Sequence, residues 1–383
     1  MQNPFFTVFI FVFVLFLYIH ITASWKTSDD LEIYETDYKT PAQLQEVCSV
    51  KQPVLFEIHD PSVAEFVERF QVSRFEKYDN IDICVKDSAD YRILSTTSAS
   101  ASASASASAS ALANNANTPV GPDSVDAVPM SLRSARRLMT TDTNAKYFSE
   151  KNHIFLEESG LDRLSHSVDK FLKPPLSAYS KHDIVLGSAM VSTPLRYRLE
   201  SHNYFVVTRG KIRVKMCPPK FGRVLPRVSD YEHYEFVCPI DVWNPPSNPA
   251  EKDILSKIKF LEFEVFAGSI LFIPPYWWYS VRFSGDADTT VAGFTYDAAM
   301  NVLAQSKHWA LFYLQQSNIK TKPAKTHIPA LDGVVDQPDN TTPPPIKDHQ
   351  DQTQAPSSQT KPHHTEIVTN AGIYKISSTA NDE

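Results

Sequence analysis

Glycine is scarce in this chain of 383 residues: there are ten, and none are grouped closely enough to form a Gly-rich phosphate loop. That excludes the backbone cradles on which Rossmann and P-loop nucleotide sites depend. Cysteine is scarce as well. Cys48, Cys84, Cys217 and Cys238 show no C-x-x-C pairing, so neither a zinc knuckle nor a thioredoxin-type redox pair is expected. Buried free thiols are the default for all four, with a Cys217–Cys238 disulfide as the alternative in a lumenal domain. An excess of positive charge is also missing. The net charge is −7, so no global basic field exists to recruit nucleic acid, and no nucleic-acid partner is expected. The small basic groups Arg133-Arg136-Arg137 and Lys211-Arg213-Lys215 read as solvated faces.

What the chain does have is apolar material: 42% hydrophobic and 11% aromatic residues, enough for one sizeable domain with extra segments. Phe5 to Ala23 is almost wholly apolar, holds six phenylalanines, and precedes the first charged side chain, Lys26. As a helix this stretch reaches about 28 Å, close to the hydrocarbon thickness of a bilayer. A basic n-region is missing and Ile21-Thr22-Ala23 is a mediocre cleavage site. Both favour a single-pass N-terminal membrane anchor over a secreted or lumenal product of signal cleavage. The flanks carry too few Lys and Arg to set an orientation.

Composition shifts divide the rest. Residues 1–24 are the anchor or signal segment, and residues 25–40 read as a polar, acidic stalk. Residues 41–316 read as one domain, interrupted near 95–128 by a strict Ser-Ala alternation that runs into an Asn-, Pro- and Asp-rich stretch. Alternating Ser and Ala offers no bulky group to bury, so this insertion is expected to be disordered. Residues 317–383 form a Pro/Thr/Gln-rich tail, again expected to be disordered, with a glycosylation sequon at Asn340-Thr341-Thr342 and a thin His363-His364 pair.

Within the domain, Pro53–Ile58 reads as a strand and Ser62–Phe70 as a helix capped by Asp60 or Ser62. Ser131–Leu138 and Asn144–Glu150 read as further helices, and Gly160 ends another short segment. Strands are expected over Leu195–Leu199, Tyr204–Thr208, Lys211–Met216, Phe260–Val265, Ser269–Ile273, Ser280–Phe283 and Thr289–Thr295. Turns fall at Arg209-Gly210, Ala267-Gly268 and Gly285-Asp286. Asn301–Leu314 closes the domain as a helix. Many short strands at this spacing suggest a barrel or sandwich. The most informative stretch is Phe260–Phe283, two apolar runs flanking Ala267-Gly268-Ser269, read as a hairpin. Its second strand meets Pro274-Pro275, which removes two ladder donors, and then Tyr276-Trp277-Trp278-Tyr279, four large rings read as one corner.

This hairpin resembles the G-D-x-L-F-I-P-x-x-W-W-H-x-V segment of the JmjC/cupin-like (cupin-8) superfamily. Further landmarks follow in the family's order over about 250 residues. Lys51-Gln52-Pro53-Val54-Leu55-Phe56 looks like its opening strand, and Thr193-Pro194-Leu195 is similar to its T-P-L-H-Y-D entry to the metal site. Asn203-Tyr204-Phe205 with Arg209-Gly210-Lys211 and Cys217-Pro218-Pro219 resembles its N…G-x-K…P-P hairpin, and Asp241-Val242-Trp243-Asn244-Pro245 its linker. The resemblance implies a mainly β fold, a double-stranded β-helix (cupin or jelly-roll) barrel with flanking α-helices. It also implies Fe(II) held by His-x-Asp and a further His, with open positions for 2-oxoglutarate and oxygen.

Those ligand positions map here to Arg196, Arg198 and Tyr279. Guanidinium groups stay protonated and offer no lone pair to a metal. The position that grips the oxoglutarate carboxylate in the family is Ile212, while Lys211 and Arg213 point the other way. Four losses in one direction signify abandoned iron chemistry, so no metal site, no catalytic residue and no cofactor are expected. His202, His233, Glu262 and Glu264 form a thin substitute ligand set, and Tyr279 is better read as a buried, hydrogen-bonded hydroxyl. Arg196 and Arg198 have two arrangements. In one they face solvent or pair with acidic neighbours while Leu195, Tyr197 and Leu199 fill the core. In the other they line the old cavity and need carboxylate partners or a bound anion.

The expected function is a membrane-anchored cupin-like pseudoenzyme that acts as a binding or scaffold module, attached through residues 5–23. Its binding candidates are Arg196, Arg198, Asn203, Tyr279, Trp277 and Trp278, for a small anionic ligand or a protein partner. The alternative is a divergent Fe(II)/2-oxoglutarate-dependent oxygenase of the protein hydroxylase or demethylase type. A sugar-binding cupin is a third class, resting on Trp277, Trp278 and Tyr279. Fold alone does not choose among them.

Overall fold

The computed structural model describes residues 4–94, 124–285 and 288–318. Most of the Ser/Ala-rich insertion, the tail with its sequon and His363-His364, and Asp286 of the last expected turn lie outside the described residues.

Fifteen strands, numbered in chain order, form two sheets among the described residues. The larger runs β1 (Tyr34–Asp37), β2 (Val54–Glu57), β13 (Ser269–Ile273), β8 (His202–Arg209), β15 (Thr290–Ala298), β6 (Ser177–Gly187), β5 (Tyr147–Ser149), β3 (Asp82–Asp87), β4 (Val128–Ser131). The smaller runs β10 (Val228–Asp230), β11 (Glu235–Cys238), β7 (Leu195–Tyr197), β14 (Trp278–Phe283), β9 (Lys211–Cys217), β12 (Leu261–Phe266). All pairs are antiparallel except β1 with β2. Part of the segment expected to be a stalk is therefore the edge strand of the larger sheet.

The expected hairpin over Phe260–Phe283 is not one. β12 pairs with β9 in the smaller sheet, whereas β13 pairs with β2 and β8 in the larger. Ala267-Gly268 is a corner between sheets, with Gly268 at φ +96 and its N–H donating to the Val207 carbonyl. Gly210, at φ +73, makes the same change between β8 and β9. Pro274-Pro275, followed by Tyr276 at φ +66, makes it between β13 and β14. A period-two pattern reads alike whichever sheet a strand joins, so the sequence does not reveal these crossings.

Three apolar layers result. Between the sheets lie Phe205, Ile212, Val214, Met216, Leu271, Trp277, Tyr279 and Phe283. On the outer face of the larger sheet, Phe56, Tyr204 and Phe294 pack against helical residues such as Phe66 and Phe155. On the outer face of the smaller sheet are Leu195, Tyr197, Leu199, Phe236 and Trp278. The four rings from Tyr276 to Tyr279 therefore do not share a corner. Alternation sends Trp277 and Tyr279 inside the barrel, and Tyr276 and Trp278 to the opposite face.

The helix over Pro61–Arg69 starts at Asp60, whose carboxylate accepts from the Ser62 N–H. Ser131 caps Leu132–Thr141, and Gly160 at φ +71 ends His153–Ser159. The helix expected over Asn144–Glu150 is instead β5, paired with β3 and β6. The single closing helix is two, Ala299–Ala304 and Ser306–Asn318, broken at Gln305. All four cysteines are free thiols.

At the N-terminus, Pro4–Trp25 is a helix of 22 residues. Its Val8–Trp25 stretch has mean hydropathy 2.2 and none of its residues is buried, and it is long and apolar enough to cross a membrane. A signal sequence meets the same criteria.

Candidate functional site

The barrel interior is built around β7. It pairs with β11 and, through Arg196 opposite Tyr279, with β14. The period of two turns Leu195, Tyr197 and Leu199 onto the outer apolar layer, and Arg196 and Arg198 inward. Arg196 does not face solvent: it is 5% exposed.

A buried charge there requires a partner, and Glu150, just beyond β5, supplies it. Arg196 Nη1 donates to Glu150 Oε1 at 2.6 Å, and Nη2 lies 2.5 Å from Oε2. The Arg196 guanidinium also sits over the Tyr279 ring, 5.5 Å from its centroid. Glu150 Oε1 accepts a second donor, Lys86 Nζ on β3, at 3.2 Å. Lys86 in turn meets Glu235 at 2.5 Å and Tyr91 at 3.0 Å. Tyr91 donates to the other Glu235 oxygen at 2.9 Å, and Lys151 Nζ lies 2.5 Å from Glu235 Oε1. Burial opposes the charge on Lys86, but Glu235, Tyr91 and Glu150 outweigh it and raise its pKa well above the ordinary value. Burial likewise opposes ionisation of Glu235, but Lys151, Lys86 and Arg196 hold its carboxyl far down. The set is a connected network of charge-assisted hydrogen bonds.

Arg198 has different company. Its Nε donates to Tyr279 Oη at 2.9 Å, and its Nη1 donates to Thr295 Oγ1 at 3.0 Å and Asn203 Oδ1 at 3.5 Å. Among the described residues no carboxylate pairs with it. Tyr279 is fully buried. Asn203 is fixed from its other end by donating to the Glu200 carbonyl at 3.0 Å. Arg198, Asn203, Tyr279 and Thr295 thus form one polar group, adjoining the Arg196–Glu150 pair through Tyr279.

The tryptophans are not part of it. Trp277 is buried and donates through Nε1 to the Lys51 carbonyl at 3.0 Å. Trp278 packs edge-on against Tyr197, 4.8 Å between centroids. Ile212 is buried in the barrel. Lys211 and Arg213 lie on the other face of β9, paired with Glu264 and Glu262.

The substitute ligand set does not assemble. Glu262 and Glu264 belong to those exterior ion pairs. Burial, then Lys51, pushes the His202 pKa to about 3, and the ring packs near Tyr204 and Phe272. His233 joins Asp230, 2.9 Å away, elsewhere. At the family's iron position the residues present do not fit the ion: two protonated guanidinium groups and one phenol already engaged by Arg198 supply no facial set of lone pairs.

Sequence reasoning missed Glu150, Lys86, Glu235, Lys151 and Tyr91. Glu150 stands 46 residues before Arg196 in a stretch whose sequence reads as a helix, so nothing local links the two.

No curated protein matches the chain. The sequence profile of the cupin-like domain matches residues 45–303, most of the chain and nearly all of the sheet framework. The two-sheet barrel and the order of its landmarks agree with that match, and the chain belongs to the cupin-like domain family.

Proposed function

We propose that this chain is a non-catalytic cupin-like domain carried on an N-terminal membrane anchor and acting as a binding module. The observation that carries this reading is the filled metal position: Arg196 is clamped by Glu150, and Arg198 is bound to Tyr279. Such an arrangement cannot supply iron ligands without dismantling a buried ion pair. In this reading the Pro4–Trp25 helix holds the domain at a membrane surface, and the barrel interior recognises rather than transforms.

The ligand class this favours is a small carboxylate or phosphate. Among the described residues Arg198 carries a half-buried positive charge whose partners are neutral oxygens, and a planar guanidinium is suited to a two-oxygen anion. Calorimetric titration of the detergent-solubilised full chain with succinate and with inorganic phosphate tests it. Saturable binding of either, weakened at least about tenfold in Arg198→Gln, is expected. Binding of neither anion, or binding indifferent to Arg198→Gln, contradicts the ligand assignment. The divergent oxygenase remains the competing function, and iron-dependent turnover of 2-oxoglutarate is what would establish it.

A further inference from the structure

Outside the barrel, the helix over Asp162–Leu172 packs against the outer face of the larger sheet and brings two histidines and two aspartates together. Asp162, His166 and Asp169 stand at helical spacing on one face, and His182 rises from β6 beneath them. Asp162 touches both imidazoles: Oδ1 is 2.7 Å from His182 Nδ1, and Oδ2 is 3.0 Å from His166 Nε2. Asp169 touches the remaining nitrogen of each ring, with Oδ1 2.9 Å from His182 Nε2 and Oδ2 2.9 Å from His166 Nδ1. Tyr296 on β15 donates to Asp169 Oδ1 at 2.7 Å.

We propose that Asp162, His166 and His182 form a binding site for a divalent transition-metal ion of the zinc type, with Asp169 as the group that orients both histidines. Their ligand atoms all lie within 4.8 Å of one another. In a tetrahedral zinc site with bonds of about 2.0–2.1 Å, ligand atoms sit roughly 3.3 Å apart, so small side-chain rotations close the set. The two imidazoles aim one nitrogen each at Asp162 and the other at Asp169. This is the arrangement in which a metal-bound histidine passes its second N–H to a carboxylate. Asp169 is itself fixed by Tyr296, a second layer of support that a surface ion pair does not need.

Charge balance is compatible with a dication. Two carboxylates against two neutral imidazoles lack two positive charges, which two protons or one dication supply; metal binding then releases protons. The mixed nitrogen and oxygen donors suit zinc, cobalt, nickel or copper better than calcium or magnesium. His182 is buried at the floor, whereas the His166 side chain is 54% and Asp162 31% exposed, which leaves an entry path and a coordination position for water. The site is separate from the barrel interior and does not depend on the anchor or the anion reading.

The full chain in detergent, stripped with a chelator and titrated calorimetrically with Zn2+, provides the test. Substitution with Co2+ gives an independent visible-absorption signature of the coordination geometry. One ion per chain is expected. His166→Ala, at an exposed position, should abolish that binding. Asp169→Asn should keep the stoichiometry and weaken affinity by about 10–100-fold. Because His363 and His364 of the tail also offer imidazoles, the same titration is run on the His363→Ala/His364→Ala chain, where binding should persist. Absence of binding, binding unchanged by His166→Ala, or binding lost with the tail histidines each overturns the site.

Discussion

Arg196 and Glu150 form a buried ion pair inside the barrel, and each depends on the other. Burial opposes ionisation of Glu150, but Arg196 and then Lys86 outweigh it and hold the carboxyl below its ordinary range. Glu150→Ala would strand the guanidinium among Tyr279 and the barrel core. It is expected to cost about 3–5 kcal/mol, read by chemical denaturation. The double change Glu150→Met with Arg196→Met should recover most of that, because replacing a whole buried pair by apolar groups of similar size is often near neutral. A double variant as unstable as the single one would show that the pair does more than satisfy itself. A different residue sets the pH response. Asp297 is fully buried, with one carboxylate oxygen accepting from Ser201 N–H and Asn301 Nδ2 and the other without a hydrogen-bond partner among the described residues. Burial raises its pKa from 3.8 to about 7, against hydrogen bonds from Asn301 and Ser201, and Glu200 adds to the rise. The unfolded chain therefore ionises this group first. Its contribution is fully present below about pH 4 and lost as pH rises to about 7. Asp297→Asn should flatten the stability profile over that window and stabilise the chain at pH 8 by on the order of 2 kcal/mol. Parallel profiles for the two proteins would contradict the assignment.

At the scale of strands and corners, the left-handed glycines Gly210 and Gly268 carry chain reversals of unequal tightness. A Cβ at Gly268 meets nothing within 4 Å, so Gly268→Ala carries only backbone strain, about 1–2 kcal/mol. A Cβ at Gly210 would collide with Thr289 Oγ1 as well. Gly210→Ala should therefore lower the thermal midpoint more than Gly268→Ala; the reverse order would mean that the β8–β9 corner yields more easily than its packing suggests. Both glycines were legible as turns, and so were β8, β9, β12 and β13, because their apolar alternation is strong. What each corner joins was not legible, since sheet membership depends on partners distant in sequence. β6 escaped notice because its first half is polar and half-exposed and only its second half is buried. From sequence β5 reads as a helix because three residues are too short to show a period, and its strand character comes from β3 and β6 on either side. The barrel positions Arg196, Arg198 and Tyr279 were legible through the family motif. Their partners Glu150, Lys86 and Glu235 were not, because no local pattern marks a carboxylate destined for burial.

For the molecule as a whole, the described residues combine a complete two-sheet cupin framework, an interior wired by ion pairs, and an exposed apolar helix at one end. Most of the interior charges are satisfied by one another, Arg196 and Lys86 by Glu150 and Glu235, and Lys151 by Glu235. In the proposed reading the family's metal position holds Arg196 and Tyr279, both buried, where a catalytic barrel would leave it open to solvent and cosubstrate. The most direct measurement is metal content and turnover of the detergent-solubilised full chain. The protein is reconstituted anaerobically with Fe(II), freed of excess metal, and supplied with 2-oxoglutarate and oxygen. Because the Asp162–His166–His182 cluster offers metal ligands of its own, the His166→Ala chain is assayed in parallel. The account predicts no succinate formation above the protein-free background in either chain, and no iron retained by His166→Ala. Succinate formed in step with retained iron, in the His166→Ala chain as in the parent, would contradict it.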